Sequence, residues 1–533
     1  MAGKRDVVVI GGGHNGLVTA FYLARAGRRP LVLERRPVVG GAAITDEFHP
    51  GFKCPTLAHT LGPLRPDVGR DMRLDRHGLR VIRPEVRVFA PHPDGRGLFL
   101  YEDAERSARS IAVFSAKDAE KYTEFQGILG RIGKVMAKVL EMTPPSIDHP
   151  SSGDLWNLLK VGRGFRSLGR KEMYHILRWG PMAVADLVVE FFETELLRAV
   201  IAARGIFGAF LGPWSAGTSA MLLMRAAGDG NPAGPTVFPK GGMGALTQAM
   251  AAAAAQAGAE IRTGADVSKI LIKDGQATGV VLASGETIEA SAVISNADPR
   301  RTLLGLLDPV HLGPEFGVRM RNYRGYGSVA KVNLALSGLP EFTALKGSPT
   351  GGPDGAAALS GRIHIAPEID FLERAFDDSK YGNFSKRPYL DITIPSVSDS
   401  SLAPPGTHVM SIVMQFAPFR LKSGDWDASA EALGDTVVKT LSEYAPNLKS
   451  LILKRQVITP KDLETTYSLT NGHIFHGELA LDQIFTMRPL LDWARYRTPI
   501  DGLYLCGSGT HPGIGLTGGS GANAAREILK NLK

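Results

Sequence analysis

Cysteine is nearly missing: Cys54 and Cys506 are the only two in 533 residues, and no CxxC pair exists. A dithiol relay is thereby excluded, and a disulfide framework is not expected. Cys506 reads as a small apolar residue of a strand, and Cys54, in a loop after Pro50–Gly51, as an unpromising nucleophile. Long apolar runs are missing too, since no window approaches the ~18 uninterrupted apolar residues of a membrane span. The first strand pattern begins within a few residues of Met1, leaving no room for a signal or transit segment, so the expectation is a cytoplasmic protein. Acidic charge is in deficit, giving a net charge of +8 and a pI near 9.3. No nucleic-acid motif accompanies that excess, so a nucleic-acid partner is not expected. Part of the excess gathers in Lys160–Lys171, KVGRGFRSLGRK, between apolar helical segments. This stretch reads either as a peripheral membrane contact for anionic headgroups or as a solvated basic face.

Glycine is abundant where it matters. Val7–Ile10 is an apolar strand run, Gly11, Gly13 and Gly16 spell GxGxxG, and Leu17–Ala26 has the apolar spacing of a helix. A second strand, Pro30–Leu33, ends at Glu34, close to the ~20-residue spacing expected of the acid that bonds an adenosine ribose. The three glycines make the tight turn, admit the pyrophosphate and let helix and strand pack closely. The helix N-terminus offers N–H groups and partial positive charge to the phosphates. Strand, motif, helix, strand and acid in register predict a dinucleotide site. Gly513, Gly515 and Gly518 repeat the spelling near the C-terminus, but too few residues follow for a βαβ unit of about 30. One dinucleotide site is therefore expected, and no separate NAD(P)H domain.

Farther along, Ser115 and Asp118 read as the start of a long helical stretch, and helical pattern dominates to about Ala226. That block is rich in Leu, Met, Phe and Trp, among them Trp156, Trp179, Phe191, Phe192, Phe207, Phe210, Trp214, Met221 and Met224. These serve either as ordinary core or as the lining of a pocket for an apolar substrate. Ala245–Ala257 is an alanine-rich helix capped by Gly258. Glu260–Ala297 is a strand series whose end, Asn296–Pro299, reads only as a turn, and residues 303 to 494 alternate strands and loops with a helix near Trp426–Tyr444.

Several segments together resemble the phytoene-desaturase-like branch of the FAD-dependent amine oxidase superfamily. They are VIGGGHNGL at 9–17, the Gly40–Gly41 pair, GHIFHGELALDQIF at 472–485, Arg488–Pro489, and LCGSGTHPGIGLTGGSGANAA at 505–525. Within that branch the chain resembles the group around pyridine nucleotide-disulphide oxidoreductase domain-containing protein 2. The resemblance implies an α/β fold: a discontinuous Rossmann-type FAD-binding domain with an inserted α+β substrate domain. Residues 1–75, 235–302 and 495–533 would then form the FAD-binding domain, 76–234 a mainly helical substrate or lid region, and 303–494 the substrate-domain sheet. FAD would be held by Gly11, Gly13, His14, Asn15, Gly16, Glu34, Arg35, Gly40, Gly41, Ala42, Val267, Gly507 and Ser508, with His511, Gly515, Leu516 and Thr517 against the isoalloxazine. Ser508 stands where many flavoproteins place an acid on the ribityl chain, so that charge is absent here.

The implied activity is hydride transfer from an apolar, isoprenoid-like or lipid substrate to the flavin N5, in a desaturase, dehydrogenase or isomerase. Oxygen or a membrane quinone would be the electron acceptor. His511 is the leading candidate base, with His473 and His476 behind it, although each also reads as structural. Two alternatives stay open: a flavin amine oxidase for a small polar substrate, and an FAD-bound interaction protein. Amine oxidases of this superfamily place a lysine near N5, and no lysine can be assigned to that place from sequence. No metal site is expected.

Overall fold

The computed structural model describes residues 5–62, 64–346, 353 and 355–532. Its first sheet is built on the strand Arg5–Ile10, whose residues from Val7 on are buried. That strand pairs in parallel with Pro30–Leu33 on one side and Thr287–Ser295 on the other, Val8 lying opposite Leu31 and Val293. A parallel strand covered on both faces needs a continuous β-branched run rather than an alternating one, and Val7, Val8 and Val9 supply it. Glu260–Arg262 extends one edge, Leu503–Leu505 pairs in parallel with Thr287–Ser295, and Val267–Lys273 and Gln276–Leu282 complete an antiparallel meander. One sheet thus gathers strands from the beginning, middle and end of the chain.

The helices His14–Arg25 and Gly519–Leu529 pack against each other beside this sheet. They approach so closely that a Cβ on Gly521 would lie 2.3 Å from the Asn15 carbonyl oxygen. The helix Gly244–Gln256 packs on His14–Arg25 as well, through small alanine faces.

The second sheet runs in the order Ile452–Ile458, Val329–Leu336, His408–Gln415, Tyr389–Thr393, Arg362–Ile365, Val86–Pro91, Gly97–Tyr101. All its neighbours are antiparallel except the pair Arg362–Ile365 with Val86–Pro91. The mainly helical stretch 76–234 also lends two strands, Val86–Pro91 and Gly97–Tyr101, which close the edge of a sheet otherwise built from 329–458. That pairing joins residues far apart in sequence, which local patterning does not reveal.

Alternation decides what each face of this sheet does. Val332, Ile412, Ile392 and Ile363 share one face and join the core that also holds Trp426, Leu433 and Val437 of the helix Trp426–Ser442. Lys331, Val413, Asp391 and His364 form a row across the other face, with Asn333, Ser411, Thr393 and Arg362 in the next row. The sheet is thus apolar on one side and polar on the other, with both sides buried.

The helical block Ala116–Ala226 covers this assembly. Its long helix Ala116–Glu141 starts where Ser115 accepts from the Asp118 N–H. Trp179, Phe192 and the surrounding Leu and Ile residues pack into one core with Val88, Leu98 and Phe371. Among the described residues, no helix is long and apolar enough to cross a membrane.

Candidate active site

A cavity of about 560 Å³ runs between the two sheets, within the size range of small-molecule sites. One end is framed by the first glycine loop and Glu34, the other by the polar face of the second sheet and the helical block.

At the first end the backbone does most of the work. Gly16 sits so tightly against the turn that a Cβ would lie 2.2 Å from the Gly11 carbonyl oxygen. Glu34 accepts from the Gly12 N–H at 2.7 Å and from the Arg36 N–H at 2.9 Å, which fixes its carboxylate at the cavity wall. The helix His14–Arg25 begins at Gly13 without a capping side chain or an acid in its first turn. Its uncapped N-terminus is therefore available to an anion. His14 Nε2 and His476 Nδ1 are buried polar atoms on the cavity without a partner among the described residues. Open N–H groups, a poised carboxylate and orphaned ring nitrogens fit a dinucleotide such as FAD, which would supply acceptors and donors to all three.

Of the residues expected at the cofactor, Gly11, Gly13, His14, Asn15, Glu34, Arg35, Gly41, Ala42, Val267, Ser508, Gly515, Leu516 and Thr517 line the cavity. Gly16, Gly40 and Gly507 stand behind it: Gly40 donates to the Gly12 carbonyl at 2.9 Å, and Gly507 packs on Asn296. His511 is also set back from the wall. It is buried, its Nε2 lies 3.1 Å from the Val139 carbonyl oxygen, and burial lowers its pKa to about 4. Its neighbour Pro512 reaches the cavity instead. His473 is likewise structural, accepting from the Phe475 and Gly477 N–H groups at 3.2 and 3.3 Å. Of the three histidines, His476 alone faces the cavity, and burial lowers its pKa to about 4, so it is neutral at pH 7.

Sequence reasoning missed Asn296. It read only as part of a turn, yet its side chain lies over the first glycine loop and donates to the Gly11 carbonyl at 3.4 Å. Arg488 is the other organiser. Fully buried, it donates to the carbonyls of Phe475, Gly477, Glu478, Gln483 and Ser508, tying the 472–485 segment to the C-terminal loop.

The far end is made of side chains. Lys331, on the polar face of the second sheet, is a lysine at the cavity wall that sequence reasoning did not single out. Its Nζ bonds Ser411 Oγ at 2.5 Å and lies 3.2 Å from His59 Nδ1, and burial lowers its pKa to about 8. His59 is pushed to about 4 by burial and by the adjacent Lys331. Burial alone would raise Asp391, but Arg362 and His59 hold it below the usual carboxylate range. The signal that could have found this group is the alternation in VAKVNLAL, 329–336, where a lysine and an asparagine recur on one face of an otherwise apolar strand. Apolar walls come from Leu140, Phe207, Met224, Ile474, Phe475 and Ile514. Of the aromatic and methionine residues singled out in the helical block, only Phe207 and Met224 reach the cavity, whereas Trp156 and Trp214 face solvent. Cys54 is buried and its thiol is pushed up to about 11 by burial, so no thiolate is available there.

Comparison with known proteins shows the family and the fold. Residues 183–529 match the family described as flavin containing amine oxidoreductase, and residues 9–73 match an NAD(P)-binding Rossmann-like domain. The chain is 36% identical to pyridine nucleotide-disulfide oxidoreductase domain-containing protein 2 of Mus musculus, covering 99% of this chain and 94% of that protein. It is 28% identical to a limonene dehydrogenase component of Castellaniella defragrans (99% and 95% covered) and 26% identical to a neurosporene-forming phytoene desaturase of Cereibacter sphaeroides (98% and 94%). The fold is shared with an oxidoreductase from Methanosarcina mazei, with a TM-score of 0.62 at 18% identity over 99% of this chain and 100% of that one. The chain belongs to the flavin-containing amine oxidoreductase family and is an FAD-dependent oxidoreductase.

Proposed function

We propose that the protein oxidises an apolar, lipid-like or isoprenoid-like substrate, with oxygen or a membrane quinone as the electron acceptor. The observation that carries this reading is the cavity itself, which continues from the first glycine loop between walls of Leu140, Phe207, Met224, Ile474 and Phe475. The chemistry that FAD supplies when bound is hydride acceptance at N5. The chain's own residues contribute position and dryness: the apolar walls exclude water, and the 474–476 segment, clamped by Arg488, spans the two ends of the cavity. The relatives named for limonene and phytoene support an apolar substrate.

An exposed helical face supports access from a lipid surface. The helices Ser152–Ser167 and Gly169–Trp179 present Trp156 at 52% and Leu177 at 71% exposure, with Leu155, Leu159 and Tyr174 beside them. Lys160, Arg163, Arg166, Arg170 and Lys171 share the same exposed helices. Apolar side chains flanked by basic ones suit an interface with anionic headgroups.

The test is anaerobic bleaching of the bound flavin by a panel of isoprenoids, acyl lipids and amines, with flotation on vesicles containing phosphatidylserine. Bleaching by an apolar class, and flotation lost in Trp156→Glu/Leu177→Glu, is the expected result. A second reading, oxidation of a small amine, is favoured by Lys331 at the cavity wall. Bleaching by amines with release of peroxide would establish it in place of the first.

A further inference from the structure

The far end of the cavity carries more positive charge than its own carboxylates neutralise. Four cationic side chains line it: Arg204, Arg225, Lys331 and Arg362. The carboxylate among them, Asp391, is taken by Arg362 at 3.1 Å and faces His59 at 3.7 Å. Asp229, which lies near Arg204, spends one oxygen on Arg87 at 2.6 Å and the other on the Asn231 N–H at 2.8 Å.

Arg204 and Arg225 are left without a carboxylate partner among the described residues. Arg204 is 6% exposed; its Nη1 donates to the carbonyls of Asn231 and Pro232, and its Nη2 is buried with no partner. Arg225 donates only to the carbonyls of Arg204 and Phe207, and its guanidinium lies 5.8 and 5.9 Å from the Phe207 and Phe475 rings. Burial lowers Arg204 to about 10 against the pull of the nearby but already engaged Asp229, and burial together with the charge of Arg204 lowers Arg225 to about 9. A buried, unneutralised guanidinium pair is costly to keep. A pocket that needed only to hold a hydrocarbon would gain from replacing both by apolar residues.

We propose that Arg204 and Arg225 form an oxyanion subsite, and that the substrate is an apolar chain ending in a carboxylate or phosphate group. This rests on the reading of the cavity as the substrate site and names the class of substrate it takes. The Tyr389 side chain and Arg362 border the same end, so the head group would meet hydrogen-bond donors on several sides while its chain lies along Phe207, Met224 and Phe475.

The experiment titrates the FAD-loaded protein with three chain-matched series, n-alkanoates, n-alkanols and n-alkyl phosphates of eight to sixteen carbons, following the visible spectrum of the bound flavin. The expected result is that one acid series binds about 10- to 100-fold tighter than the alcohol of equal length. Whether that series is the carboxylate or the phosphate identifies the head group. In Arg225→Met the advantage collapses while alcohol affinity holds, and Arg225→Lys restores part of it. Wild-type protein that shows no preference for either anion over the alcohol, at any chain length, overturns the proposal whether or not the variants fold. The readout is binding, so it separates from the proposed function: an anion preference with no bleaching by any apolar compound of the panel would defeat the proposed oxidation of an apolar substrate and leave the subsite, and bleaching by neutral lipids without anion preference would do the reverse.

Discussion

The two ends of one cavity are built on opposite principles. The glycine-loop end is backbone: a turn that forbids a Cβ, an uncapped helix N-terminus and one carboxylate held by two amide N–H groups. The far end is side chains delivered by separate elements, with His59, Arg204, Arg225, Lys331, Arg362, Tyr389 and Asp391 meeting across hundreds of residues. The first recognises what every member of a cofactor class shares, and the second can be rewritten residue by residue without disturbing it. The contrast suggests that cofactor and substrate specificity are separable here, and it can be broken by mutation.

The largest effect is expected at the glycine loop. Gly16→Val would drive side-chain atoms into the Gly11 carbonyl, and the purified protein should carry no flavin absorbance while a circular dichroism spectrum reports whether the fold survives. Next comes Lys331→Met, which should keep FAD bound yet slow flavin reduction or reoxidation by about 100-fold or more, in the range of a lost positioned acid–base group. Retained kinetics in stopped flow would remove Lys331 from the chemistry. The same variant has a signature in stability. Lys331 is lowered from 10.5 to about 8 on folding, so between those values the unfolded chain binds more protons and stability rises with pH. Lys331→Met should flatten that rise.

A smaller effect is expected for Glu34→Gln, which keeps an acceptor and loses the charge. FAD affinity should fall by about tenfold, consistent with weakening one charge-assisted hydrogen bond. The broadest and shallowest test is pH. His14, His59, His476 and His511 are each lowered from 6.5 to about 4, chiefly by burial. Between those values the unfolded state again binds more protons, so the stability present above pH 6.5 should drain away as pH falls toward 4. Thermal melts that are flat across this window would mean that the histidines are not buried in solution as they are here.

The comparison also explains what was legible in the sequence. The glycine-loop end could be read because backbone demands write themselves contiguously: Val7–Glu34 contains strand, turn, helix, strand and acid within one short stretch. The Gly507–Gly521 loop was legible for the same reason. Asn296 was not, since its role depends on the parallel pairing of Thr287–Ser295 with Arg5–Ile10, a contact invisible from local pattern. Lys331 stayed hidden among apolar neighbours, where period-two alternation shows that a face differs but not what that face meets. The arginine pair was harder still, because each residue sits in an ordinary helical context and only packing removes its counter-charge. His511 drew attention by its place in a conspicuous loop, whereas the Val139 carbonyl that holds its ring comes from a helix far upstream.

The sheet that holds the glycine loop draws Leu503–Leu505 into parallel pairing with Thr287–Ser295, which in turn flanks Arg5–Ile10. A ribosome makes the first of these strands long before the last, which follows only after some five hundred residues have emerged. Until then the sheet is incomplete, and the nascent Arg5–Ile10 strand waits through about half of that interval for its Thr287–Ser295 neighbour, with its valine run open to wrong partners. Contacts of such long sequence separation form slowly. A cofactor therefore meets its whole site only after Ser508, Gly515, Leu516 and Thr517 have been made and have joined Gly11, Gly13, His14 and Asn15 at the cavity wall.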